Sequence, residues 1–211
     1  MGTGTYGGKK LGIKKRSFWK REQKIRKTEE SIRDLPHERA YIFDKDGNIV
    51  WQSNSSEESD DSVTITGETE DMILTHNHPD RHYADGSMLE GGTFSNGRPW
   101  TMESGDVKNF AHAQLAELRA SDSQRTYVLR RGKDARVFDF ARAYADATEK
   151  YLQQAKDDAH RARVNGIIGW KNGEYSQYAM NAWLTSLHTW LKNNASHYGV
   201  EYHVYERRRK K

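Results

Sequence analysis

The chain has 211 residues and a mass of 24.4 kDa, is 35% hydrophobic, and has a mean hydropathy of −1.03, which suits one catalytic-sized domain carrying solvated additions. It contains no cysteine, which excludes disulfides and thiolate metal sites, and no run reaches the roughly eighteen apolar residues that a bilayer span needs. The net charge of +4 conceals a division: residues 1–27 hold ten Lys/Arg against Glu22 alone, and residues 207–211 are Arg-Arg-Arg-Lys-Lys. Removing those fifteen bases and one acid leaves 19 bases and 29 acids, a net of −10, between 28 and 206.

The region Met1–Gly12, with five glycines, is expected to be disordered. Ser17 is a candidate N-cap for a helix running through Phe18, Gln23 and Ile25 toward Ile32 and stopping before Pro36. Residues Glu38–Trp51 read as strand, tight turn at Asp46-Gly47, strand. Asp44 and Asp46 belong to that turn, because Asp-Lys-Asp-Gly-Asn lacks the remaining oxygen ligands of a calcium loop. A polar loop, 52–61, leads to a strand at Val63–Thr66 and then to the apolar run Met72-Ile73-Leu74.

That run ends in Thr75-His76-Asn77-His78-Pro79. Histidines two apart on a strand point to the same face, which is how a strand presents two metal ligands. A catalytic zinc needs a third protein ligand and leaves a position for water. The best carboxylate is Asp106, in Glu103-Ser104-Gly105-Asp106, just ahead of a helix whose apolar residues recur at 107, 110, 111, 115 and 118. Between the histidines and Asp106 lies a long loop, Asp80–Gly105, with Phe94 and Trp100 as candidates either for substrate contact or for packing against the body. His82 and Asp85 read as solvated loop residues. The tripeptide His-Asn-His does not indicate an HNH nuclease, whose name denotes dispersed residues.

Downstream, Arg125–Arg130 reads as a strand stopped by Gly132. Val137, Phe140, Ala141, Tyr144, Ala147, Tyr151, Leu152 and Ala155 mark a helix to about Arg163. Met180, Trp183, Leu184, Leu187, Trp190 and Leu191 mark another helix, and alternation at Val200, Tyr202 and Val204 marks a final strand that joins the sheet edge. The expected class is α/β (α+β), a mixed sheet flanked by helices, in four parts: a basic tail and helix (1–33), a metal-binding core (34–135), C-terminal helices with a last strand (136–206) and a basic tail (207–211).

Glu38-Arg39-Ala40-Tyr41-Ile42-Phe43-Asp44, then Thr-His-Asn-His-Pro, then serine and aspartate leading into a helix, resembles the JAB/MPN (JAMM) zinc metalloproteases, most of all their RadC-like and phage-associated prokaryotic branches. The resemblance spans residues 37 to about 131. It implies His76, His78 and Asp106 as zinc ligands, Glu38 as the base that takes a proton from the zinc-bound water, and a serine that holds the developing oxyanion. It further implies hydrolysis of a peptide or isopeptide bond in a protein substrate. The family spacing is His-x-His, seven residues, Ser, two residues, Asp, and here the interval from His78 to Asp106 is much longer. Either an insertion separates Ser95 from Asp106, or Ser104 takes the serine's place. The pair Ser87 and Glu90 copies the serine-to-acid interval, but Glu90 lacks a convincing helix behind it and ranks second to Asp106.

The alternative is a non-catalytic binding or assembly protein, in keeping with a phage-related origin, that retains this fold. The basic tails can contact nucleic acid through phosphates, contact the acidic body, or stay solvated. A soluble, cytoplasmic protein without membrane partners is expected.

Overall fold

The structure, a computed structural model, describes residues 8–58, 63–79, 102, 104–169 and 174–207. Helices α1 (Gly8–Ile32), α2 (Ser104–His112), α3 (Val137–Val164) and α4 (Glu174–Asn194) accompany strands β1 (Ala40–Phe43), β2 (Ile49–Gln52), β3 (Ile73–Asn77), β4 (Glu117–Ser121), β5 (Arg125–Arg131) and β6 (Val200–Glu206). The strands form one mixed sheet in the order β2-β1-β3-β4-β5-β6. Among the described residues only β3 and β4 run parallel, and α2 lies in their crossover, as a parallel pair requires. Among the described residues no helix is long and apolar enough to cross a membrane.

Alternation along the strands sets the layers. Ala40, Ile42, Leu74, Leu118, Ala120, Tyr127 and Leu129 share one face and pack with Val107 and Phe110 of α2, Phe140 and Tyr144 of α3, and Leu184, Leu187 and Leu191 of α4. Phe140, Tyr144 and Trp190 form a ring cluster with centroids 5.5–6.4 Å apart; such pairs contribute about 0.5–1.5 kcal/mol each beyond their burial. Residues 137–200 therefore share the core of residues 40–129. On the other face, Phe43 and Ile73 meet Ile25 of α1.

Most of that second face is polar. Arg119 of β4, fully buried, donates to Glu22 and Glu29 of α1 and to Glu117 of its own strand. Arg33, just past α1, donates to the carbonyls of Asp122 and Arg125 and to the Thr126 hydroxyl, tying the helix end to the β4–β5 turn. Five charged side chains thus work beside the apolar contact at Ile25 in holding α1 on the sheet.

The β1–β2 hairpin turns at Asp46-Gly47 as expected, with Gly47 at φ +77°. The Asp44 carboxylate accepts the Asp46 and Asn48 backbone N–H groups and the Asn48 amide at 2.8–2.9 Å. These hydrogen bonds, those from Asn48 first, hold its pKa below the ordinary value and occupy the oxygens that a calcium ion would need.

Three elements differ from the sequence expectation. Helix α1 begins at Gly8 instead of Ser17, so 8–12 are helical where disorder is expected. A helix anchored at Ile25 and Ile32 extends without a new nucleation cost, and Lys, Leu and Arg offset the roughly 1 kcal/mol penalty of Gly12. Val63–Thr66 is not a strand and makes only an isolated bridge, Glu58 to Val63. It lies across the hairpin, where Trp51 Nε1 donates to Thr66 Oγ1 at 3.2 Å and a Cβ at Gly67 would come within 2.7 Å of Trp51. The helix spanning 107–118 stops at His112, because Gln114 turns left-handed at φ +49°, and Leu118 lies in β4. Leu115 and Leu118 are both buried in the same core, so one apolar period runs across two elements.

Candidate metal centre

His76, next to last in β3, stands between two alanines in register, Ala40 of β1 and Ala120 of β4. These small neighbours leave the imidazole room on the α2 side of the sheet. His78, one residue past the strand, is on the same side, and its backbone N–H donates to the Ser121 carbonyl at 2.8 Å, so β4 fixes its position. Asp106 sits in the first turn of α2, where the helix dipole favours a carboxylate. The segment entering α2 is anchored by α3, whose Tyr144 hydroxyl donates to the Met102 carbonyl at 2.6 Å.

The three side chains converge. His76 Nε2 is 3.1 Å from Asp106 Oδ1, His78 Nε2 is 3.3 Å from Asp106 Oδ2, and the two Nε2 atoms are 2.9 Å apart. Ligand bonds of about 2.0–2.1 Å give edges near 3.3 Å in a tetrahedron and near 3.0 Å in an octahedron. The spacings thus suit a small divalent cation of either geometry, and the group can hold a metal ion. Two imidazoles with one carboxylate form a donor set that suits zinc and also ferrous iron. Burial works to raise the Asp106 pKa, but the charges of His76 and His78 and their hydrogen bonds outweigh it and hold the carboxyl well below its usual range. That direction favours the ionised carboxylate that a metal ligand requires.

A pocket of about 150 Å³ opens over this group. Glu38 lines it together with the two histidines and Asp106, and Val63, Ile65, Leu74 and Leu118 supply apolar wall. Glu38 precedes β1, and both of its neighbours are pinned. Asn77, the buried residue between the histidines, accepts the Arg39 backbone N–H at 2.8 Å and donates to the His37 carbonyl at 2.9 Å. On the other side Glu58 receives Arg39 at 2.9 Å and lies 3.2 Å from His37 Nε2. One strand residue thus sets its neighbours at the candidate metal centre while clamping the segment that carries Glu38.

Of the site residues expected from sequence, His76, His78, Asp106 and Glu38 line one pocket. Ser95, Glu90, Ser87, His82, Asp85, Phe94 and Trp100 lie outside the described residues. Ser104 opens α2, and its side chain is outside the described set. Sequence reasoning missed Asn77, Gly105, Asn109, Val63 and Ile65. Asn109 was within reach of it, because a residue three after Asp106 on a helix shares its face. Asn77 had no signal of its own, since the residue between two ligands points away from them. Comparison of the chain with protein-family models, with curated proteins and with solved structures finds no match.

Proposed function

We propose that the protein is a zinc hydrolase of JAMM type acting on a peptide or isopeptide bond, with His76, His78 and Asp106 as ligands and Glu38 as the acid–base residue. The observation that carries this reading is the convergence of two imidazoles and a carboxylate in a pocket that Glu38, set between two held neighbours, also lines. A cation bound there would polarise the scissile carbonyl and lower the pKa of water to about 7. The Glu38 carboxylate takes the proton of the attacking water and delivers it to the leaving nitrogen. Ser95 or Ser104 donates to the oxyanion as it develops. The apolar wall strengthens each of these interactions by lowering the local dielectric. The donor set alone also accommodates iron; zinc is proposed because hydrolysis needs the acid–base group that Glu38 supplies. At about 150 Å³ the pocket is smaller than the roughly 300 Å³ of a typical small-molecule cleft, which suits one bond of an extended chain better than an engulfed metabolite.

The test is elemental analysis combined with hydrolysis of a quenched-fluorescence peptide library and of isopeptide-linked substrates. One zinc per chain is expected. Glu38→Gln should retain the zinc and lose about 10²–10⁴-fold in turnover, and His76→Ala with His78→Ala should lose both. Undiminished turnover in Glu38→Gln would overturn the reading. A metal-free chain that holds nucleic acid in a salt-dependent manner would favour the non-catalytic assembly role.

A further inference from the structure

The face of the sheet opposite the metal pocket carries a second feature. Arg119 projects to the α1 side, whereas its neighbour Ala120 shares the His76 face. Between α1 and β6 lies a groove of about 420 Å³, within the range of about 300–1,000 Å³ typical of ligand clefts. Trp19, Gln23, Arg26 and Lys27 form its α1 wall, and Tyr205 forms the β6 wall. Trp19 is 58% exposed. The Arg26 guanidinium covers the Tyr205 ring, 4.8 Å from its centroid.

Five bases (Arg26, Lys27, Arg33, Arg119 and Arg207) and four acids (Glu22, Glu29, Glu30 and Glu206) line the groove, a small positive excess. Each carboxylate lining it is held by an arginine of the fold: Glu22 and Glu29 by Arg119, Glu30 by Arg33 and Arg207, and Glu206 by Arg125. Lys27 adds positive charge beyond these pairs. Basic residues continue beside Trp19, with Lys20 and Arg21 next on α1. The β1–β2 turn adds Lys45, which lines a depression with Lys20, Arg21 and Lys24.

We propose that this surface docks single-stranded nucleic acid, with phosphates along Lys20, Lys24 and Lys27 of α1 and one unstacked base in the groove against Trp19. A basic groove with an exposed aromatic plane is the arrangement that binds single strands, because every base has a face to stack. A duplex keeps its bases inside and would leave the indole unused. A membrane surface would need a continuous apolar helix face, but Ile25 and Ile32 of α1 are turned into the protein, at 0% and 1% exposure. An acidic peptide would engage the lysines and bring no ring to the groove.

The test is fluorescence anisotropy of a labelled 20-nucleotide dT strand with the full chain between 50 and 300 mM KCl. Binding is expected to weaken with salt by about 0.7 in log–log slope for each phosphate contact. Trp19→Ala should weaken binding about 5–100-fold without changing that slope. Lys20→Glu with Lys27→Glu should reduce the slope. The variant His76→Ala with His78→Ala should bind like the parent, separating this surface from the metal pocket. No binding at 50 mM KCl, tighter binding of the matching duplex, or an unaffected Trp19→Ala variant would each overturn the proposal; the last would assign any affinity to charge alone.

Discussion

His76 and Asp106 place Nε2 and Oδ1 3.1 Å apart although one belongs to a strand and the other to the crossover helix that leaves it. A site assembled from β3 and α2 exists only once the parallel pair has formed. A cation held there therefore binds the folded chain and not the unfolded one. At one hundred times its Kd it should stabilise the fold by about 2.7 kcal/mol, a rise of about 5–10 °C in Tm for a chain of this length. Differential scanning calorimetry with zinc and then with chelator measures the effect. Asp106→Asn, which keeps the shape and removes the charge, should lower metal affinity by at least about 100-fold and abolish most of that rise. A zinc-independent Tm in the parent protein would count against the site.

Asn77 makes a separable prediction. Its amide holds the backbone of both residues that flank Glu38, and its side chain is not among the ligands. Asn77→Ala should cost about 1–3 kcal/mol, because it leaves the part-buried Arg39 N–H and His37 carbonyl without these partners. If Glu38 is the acid–base residue, a shift of about 1 Å in that segment should lower kcat by about 10–100-fold, with KM and zinc content little changed. Urea denaturation, elemental analysis and steady-state kinetics on the one variant separate these effects. A stability loss with kcat intact would reduce Asn77 to a structural residue.

The legible part of this molecule is the part governed by local rules. Alternation put His76 and His78 on one face, Asp46-Gly47 marked the hairpin, and the apolar period after Asp106 marked a helix start. The illegible part depends on partners distant in the chain. Strand β4, Glu-Leu-Arg-Ala-Ser, has no β-branched residue, and its polar face is buried only because Glu22 and Glu29 of α1 arrive to meet Arg119. Periodicity could not separate Leu115 from Leu118, since a turn at Gln114 delivers both to one core. The clamp on Glu38 is likewise a cross-strand contact that no spacing announces.

Arg119 carries the next prediction. With its three carboxylate partners it holds α1 to the sheet through charge. Arg119→Met should destabilise the protein by about 3–5 kcal/mol, because Glu29 would remain buried without this counter-ion and Glu22 would keep only Arg26. Adding Glu22→Leu and Glu29→Leu should recover most of that loss, since an apolar contact of similar volume avoids the desolvation cost. Guanidinium denaturation of the three proteins tests this, with trypsin cleavage within α1 as a local readout. If the single variant is as stable as the parent, α1 is held by Ile25 and Ile32 and the network is incidental.

His188 of α4 sets a pH dependence. Its Nδ1 lies 2.9 Å from the Tyr202 hydroxyl of β6, the rings meet edge to face, and the side chain is half-buried. Burial first, and then the charges of Lys192 and Arg125, push its pKa from the ordinary 6.5 down to about 4. Because the folded value lies below the unfolded one, the unfolded chain takes up the proton first as the medium is acidified. The stabilisation from the neutral ring is complete above about pH 6.5 and is lost as pH falls from there to about 4. That interval would correspond to about 3 kcal/mol without screening, and solvent access to a half-buried ring reduces it to about 1 kcal/mol. His188→Asn removes the titration and keeps a polar group beside Tyr202. Its Tm should therefore fall less than the parent's between pH 6.5 and 4, by about 2–4 °C. Taking the difference between the two proteins cancels the carboxylates that titrate in the same window, and parallel curves would mean that His188 is not the group being sensed.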